Sequence, residues 1–107
     1  MNEHTEAQTS FTSFAEFYPY YLQEHCNKTC RRLHLVGSIL VLCVLFTAVL
    51  TQHWVLLWAL PIIGYGFAWV GHFFFEKNKP ATFKHPLYSF IGDWVMAKDL
   101  LLNRIPL

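Results

Sequence analysis

Residues 33–75 read LHLVGSILVLCVLFTAVLT, then QH, then WVLLWALPIIGYGFAWVGHFFF, and the rest of the chain is arranged around them. From Leu33 to Thr51 only His34 is ionisable, and from Trp54 to Phe75 only His72 is. At a rise of ~1.5 Å per residue the two runs make helices of about 28 and 33 Å, close to the ~30 Å hydrocarbon thickness of a bilayer. A soluble helical hairpin would carry charges behind an apolar stripe, and neither run has a charged face. The link Gln52-His53 is too short to return across a membrane, so the runs must form an antiparallel hairpin. The expected fold is all-α: an integral membrane helical hairpin with spanning helices over 33–51 and 54–75 and amphipathic flanking helices, in a single membrane domain over 1–107.

The composition agrees. The chain has 107 residues, 54% hydrophobic and 14% charged, against ~25% charged in soluble domains, which excludes disorder and an ordinary charge-coated surface. A chain this short supports one core at most. The net charge of +1 leaves no electrostatic footprint for nucleic acid. Cys26, Cys30 and Cys43 form neither an even framework nor a Cys-x-x-Cys pair, which suits a reducing compartment. No small-residue cleavage site follows an N-terminal apolar run, so the chain does not read as a secretory precursor.

All eight Lys and Arg lie outside the two runs, on the side away from Gln52-His53. By the positive-inside rule both termini are expected in the cytoplasm, with the hairpin in the inner membrane if the cell is bacterial. Residues 1–10 read as a frayed tail. Ser13-x-x-Glu16 offers a capping box, and Phe11, Phe14, Phe17, Tyr18, Tyr20 and Tyr21 read as an aromatic belt at headgroup depth. Pro19 fits the first turn of a helix running toward His25. After the second span Asn78 and Pro80 end the helix, Pro86 opens another, and the near-3.6 spacing of Leu87, Phe90, Ile91, Trp94, Val95 and Leu101 places an interfacial helix over 87–103 with its apolar face toward lipid.

The hairpin geometry also places the histidines. Residues equally far from the turn lie at equal depth, and His34 and His72 are such a pair, each about 19 residues from the link. His25 and His85 lie just beyond them in the flanks, so four histidines gather at the open end. Glu76, one turn after His72 on the same face, is placed to orient a ligand or to be one, and Asp93 is a weaker candidate for that role. His25 and His34 would face opposite ways on one straight helix, so a break is needed between them. Asn27 can provide it by capping the spanning helix. Three or four imidazoles with one carboxylate suit iron(II), zinc or manganese. His4 and His53 read as solvated or interfacial.

Glu24-His25-x-Asn27, Arg31-x-x-His34-x-x-Gly37, Gly64-Tyr65-Gly66-x-x-Trp69-x-x-His72-Phe73-x-Phe75-Glu76-Lys77-Asn78-x-Pro80-Ala81-Thr82-Phe83 and His85-Pro86 together resemble a known family. It is the family of small membrane proteins, long catalogued as a domain of unknown function, that includes the fungal 2-hydroxy fatty acid dioxygenase of phytosphingosine breakdown. The resemblance runs from about Phe14 to Leu101. It implies an Fe(2+)-dependent alpha-oxidation in which a 2-hydroxy fatty acid and dioxygen give the acid shortened by one carbon. It also implies His25, His34, His72 and His85 as the iron ligands. On that reading the lipid tail lies along the hairpin, Glu76 orients a ligand, and Arg31 steadies the substrate carboxylate. Two other readings stand beside it: a haem electron carrier ligated by His34 and His72, and a non-enzymatic hairpin that shapes membranes or scaffolds a partner. Two helices in a bilayer bury little surface against each other, so a homo-oligomer, at least a dimer, is expected.

Overall fold

The computed structural model describes residues 10–107, and the expected frayed tail with His4 lies outside them except for Ser10. The described chain is all-helical with no strand. Helix α1 covers Phe14–Gln23, α2 Lys28–Thr51, α3 Ala59–Val70 and α4 Pro86–Leu101, with a 3-10 stretch at Trp54–Trp58, a π-helical turn at Gly71–Glu76 and a short 3-10 turn at Ala81–Phe83.

Helix α2 and the continuous helical run Trp54–Glu76 are both long and apolar enough to cross a membrane. Only 17% and 6% of their most apolar windows are buried within the chain. A core helix of a soluble protein would be mostly covered, whereas Phe46, Leu50, Trp58 and Ile62 present 66–79% of their surface outward. The reversal falls at Gln52, in the left-handed conformation with φ 57°, where α2 ends.

At the open end the chain caps the hairpin with α1 and α4. The α1 N-terminus is held by Ser13, whose hydroxyl accepts from the Glu16 N–H at 3.1 Å, while the Glu16 carboxylate accepts from the Thr12 N–H at 3.2 Å. That cap starts the helix at Phe14, so Pro19 falls inside α1 and not in its first turn. The aromatic residues divide as well. Phe17 and Tyr21 are enclosed, at 0% and 1% exposure, in a core with Met96, Ala97 and Leu100 of α4, and do not form part of a lipid-facing belt. Helix α4 turns Ser89, Gly92, Met96, Ala97 and Leu100 inward. Of the six apolar residues of the expected interfacial helix, Leu87, Phe90 and Leu101 face outward at 61–69% exposure, whereas Ile91, Trp94 and Val95 are more covered.

Close backbone approach joins the arms near the open end. A Cβ on Gly71 would stand 2.9 Å from Cys30 Sγ and 3.2 Å from Cys30 Cα, so only glycine lets the π turn lie against the first turn of α2.

Candidate metal centre

The break at Asn27 is what brings His25 to His34. Helix α1 stops at Gln23, and Asn27 takes an extended conformation and caps α2 through its side-chain oxygen, which accepts from the Cys30 N–H at 3.1 Å. The Asn27 N–H donates to Glu76 Oε2, which ties this break to the end of the second span. His25 therefore leaves the helical path and turns its ring back over α2. His72 comes from the π-helical turn, a local widening of the helix that recurs at functional sites because it re-aims a side chain.

The three rings converge. Nε2 of His25 lies 3.2 Å from Nε2 of His34 and 2.9 Å from Nε2 of His72. The metal-ligating atoms of all three fall within 4.8 Å of one another, and all three residues are buried. Their other nitrogens are each engaged by an oxygen: His25 Nδ1 with the Tyr21 carbonyl at 2.6 Å, His34 Nδ1 with the Cys30 carbonyl at 3.0 Å, and His72 Nδ1 with Asn78 Oδ1 at 2.8 Å. A carbonyl oxygen only accepts, so each Nδ1 carries the proton and each Nε2 directs a lone pair inward. Three lone pairs facing one another at this range repel unless a cation sits among them. At metal–nitrogen bonds of ~2.1 Å, separations of 2.9 and 3.2 Å are short enough for these nitrogens to hold one ion between them. The donor set fits a divalent transition metal. His25, outside the spans, has its pKa held well below the ordinary histidine value, first by burial and then by its two histidine neighbours. It stays neutral, as a ligand must.

The remaining expected site residues sit elsewhere. His85 does not join the cluster. The turn at Ala81–Phe83 delivers it against α1, where its ring packs 5.2–5.9 Å from those of Phe11, Phe17 and Tyr20. Arg31 is engaged with backbone carbonyls: its Nε–H donates to that of His25 at 2.6 Å and its other arm reaches that of Pro106 at 3.4 Å. Glu76 braces Asn27, and the group that orients His72 is Asn78. Asn78 also donates to the Glu24 carbonyl at 3.1 Å, so it links both flanks of the site. Sequence alone marks Asn78 as a helix stop, without a role toward His72. Its position just past Lys77, where a φ of 60° reverses the chain, returns it to the ring of His72.

A cavity of about 410 Å³ opens beside the three imidazoles, between the hairpin and α4. It follows α2 from His34 to Leu45, a distance of ~16 Å by helix rise, and its far end is lined by Leu45, Leu60 and Pro61. Among the described residues no Lys or Arg lines it, and Asp93 is its one acidic side chain.

A family model described as 2-hydroxy-palmitic acid dioxygenase Mpo1-like matches residues 11–105, and the chain belongs to that family. No curated protein and no solved structure matches it.

Proposed function

We propose that this protein is an iron(II)-dependent dioxygenase that removes one carbon from a 2-hydroxy fatty acid, with His25, His34 and His72 as the iron ligands and His85 outside the ligand set. The observation that carries this reading is the convergence of three Nε2 lone pairs, each fixed by an oxygen on its Nδ1–H, at the mouth of an apolar cavity. The family name supports the same reaction class. The conversion balances as one 2-hydroxy acid and one dioxygen giving the acid one carbon shorter, carbon dioxide and water.

Iron(II) held by His25, His34 and His72 would supply the electrons that activate dioxygen. The protein does the rest by placement. The tail of the substrate lies along α2 toward Leu45 and Leu60, which sets the hydroxylated end beside the histidines. Oxygen acceptors on the three Nδ1–H groups lock ring orientation and raise the donor strength of each Nε2. Arg31 acts through the His25 carbonyl and not as a clamp on the substrate carboxylate, and Glu76 acts through Asn27.

All three donors come from one chain, so the centre is complete without a second copy. Opposed imidazoles ligating a haem must lie on either side of its ring. The rings of His34 and His72 stand with centroids 5.0 Å apart, and His25 Nε2 lies 3.2 and 2.9 Å from their Nε2 atoms, so no haem plane fits between them, which counts against the haem carrier. We place both termini and α4 on the cytoplasmic side, supported by the gathering of every Lys and Arg at the open end. Metal analysis of detergent-purified protein, followed by oxygen uptake with 2-hydroxypalmitate, tests the reading. Iron with uptake is expected, and iron-loaded protein inert toward 2-hydroxy acids would contradict it.

A further inference from the structure

One wall of the cavity is built by α4, and it carries two polar side chains, Ser89 and Asp93. Ser89 is 1% exposed, lines the cavity, and its hydroxyl has no hydrogen-bond partner among the described residues. Asp93, one turn later on the same face, also lines it. One Asp93 oxygen accepts from the Tyr21 hydroxyl, and the other has no partner among the described residues. A buried hydroxyl without a partner and a carboxyl group with no cation beside it are both costly in an apolar wall, and such groups persist where a ligand satisfies them.

Their placement is built. Gly92 allows α4 to press on Tyr21, since a Cβ there would meet the Tyr21 ring at 3.0 Å. The pressed ring lies stacked on His25 with centroids 4.0 Å apart, and the Tyr21 carbonyl accepts from His25 Nδ1–H. Tyr21 thus holds one histidine of the cluster at its backbone and ring and Asp93 at its hydroxyl, which fixes the carboxyl group relative to the metal centre.

We propose that Asp93 and Ser89 form the recognition site for the hydroxylated head of the substrate, Asp93 accepting a hydrogen bond from the 2-hydroxyl and Ser89 donating one to a carboxylate oxygen. This rests on the dioxygenase reading and adds the residues that tell a 2-hydroxy acid from a plain fatty acid. The assignment follows from donor and acceptor chemistry: an acid's carboxylate only accepts, so it suits the serine hydroxyl and is repelled by Asp93, whereas the 2-hydroxyl has a proton to give. Sites built to hydrogen-bond a substrate hydroxyl reject the analogue that lacks it, because the buried partner is then left bare.

The test is the ratio of the dissociation constants of palmitate and 2-hydroxypalmitate, measured without dioxygen on iron-loaded wild type, Asp93→Asn and Ser89→Ala. Wild type should favour the hydroxy acid. Asp93→Asn should lower the ratio about tenfold through loss of a charged acceptor. Ser89→Ala should weaken both acids about fivefold and leave the ratio near wild type, because the carboxylate is common to both. A ratio unchanged in iron-loaded Asp93→Asn, or Ser89→Ala protein that binds both acids as wild type does, overturns the proposal. Wild type that shows the preference but no oxygen uptake would sink the reaction and leave the recognition site standing, so the two failures are distinguishable.

Discussion

His72 Nδ1 donates to Asn78 Oδ1 at 2.8 Å, across the point where Lys77 reverses the chain. This bond fixes which His72 nitrogen faces the cluster. Asn78→Ala should weaken iron binding roughly 10–100-fold, the usual effect of removing a group that orients a metal ligand. Competition with a chelator of known affinity measures it, and Asn78→Asp, which keeps the acceptor, should lose less.

Glu76 accepts from the Asn27 N–H at the break between α1 and α2. Glu76→Leu leaves that donor without its partner and should cost about 1–3 kcal/mol. It should also loosen His25, so iron occupancy falls together with the melting temperature. Glu76→Gln retains an acceptor and should behave nearer to wild type in both measurements.

Two glycines of the second span make a matched pair. Gly71→Ala would press a methyl against Cys30 and should destabilise by about 1–3 kcal/mol, with loss of metal as the π turn shifts. Gly66→Ala has nothing within 4 Å of the added carbon and should be silent. Thermal unfolding in detergent separates them.

Burial raises the Asp93 carboxyl from the ordinary 3.8 to about 6, with the Tyr21 hydroxyl bond opposing the rise. A carboxyl whose folded pKa lies above its unfolded value contributes stability that is present below about pH 4 and lost as pH rises through about 6. The buried neutral His25 works in the opposite sense, so the informative quantity is the difference between wild type and Asp93→Asn. Relative to that variant, wild type should lose about 2 kcal/mol between pH 4 and pH 7. Denaturation midpoints across that range measure it.

The hairpin, its link at Gln52-His53 and the shared depth of His34 and His72 were legible because bilayer thickness and helix rise leave few alternatives. The break at Asn27 was legible too, since a straight helix would hold His25 away from His34. What periodicity could not reach was the packing of short flanking elements. Helix α4 turns Leu87, Phe90 and Leu101 outward, yet it packs through Ser89, Gly92, Met96, Ala97 and Leu100, so Phe17 and Tyr21 become core where a belt was expected. The destinations of His85, Arg31 and Glu76 depend on turns at Ala81–Phe83, Asn27 and Lys77, whose directions are set by contacts distant in sequence. The contact of Asn78 with His72 was hidden for the same reason.

The most direct test of the metal centre is the iron content and oxygen uptake of wild type and His72→Ala, purified in parallel and offered ferrous iron and 2-hydroxypalmitate. Wild type should hold close to one iron per chain and consume oxygen, and the variant should hold little iron and consume none. A His72→Ala protein with full iron and full turnover would contradict the account.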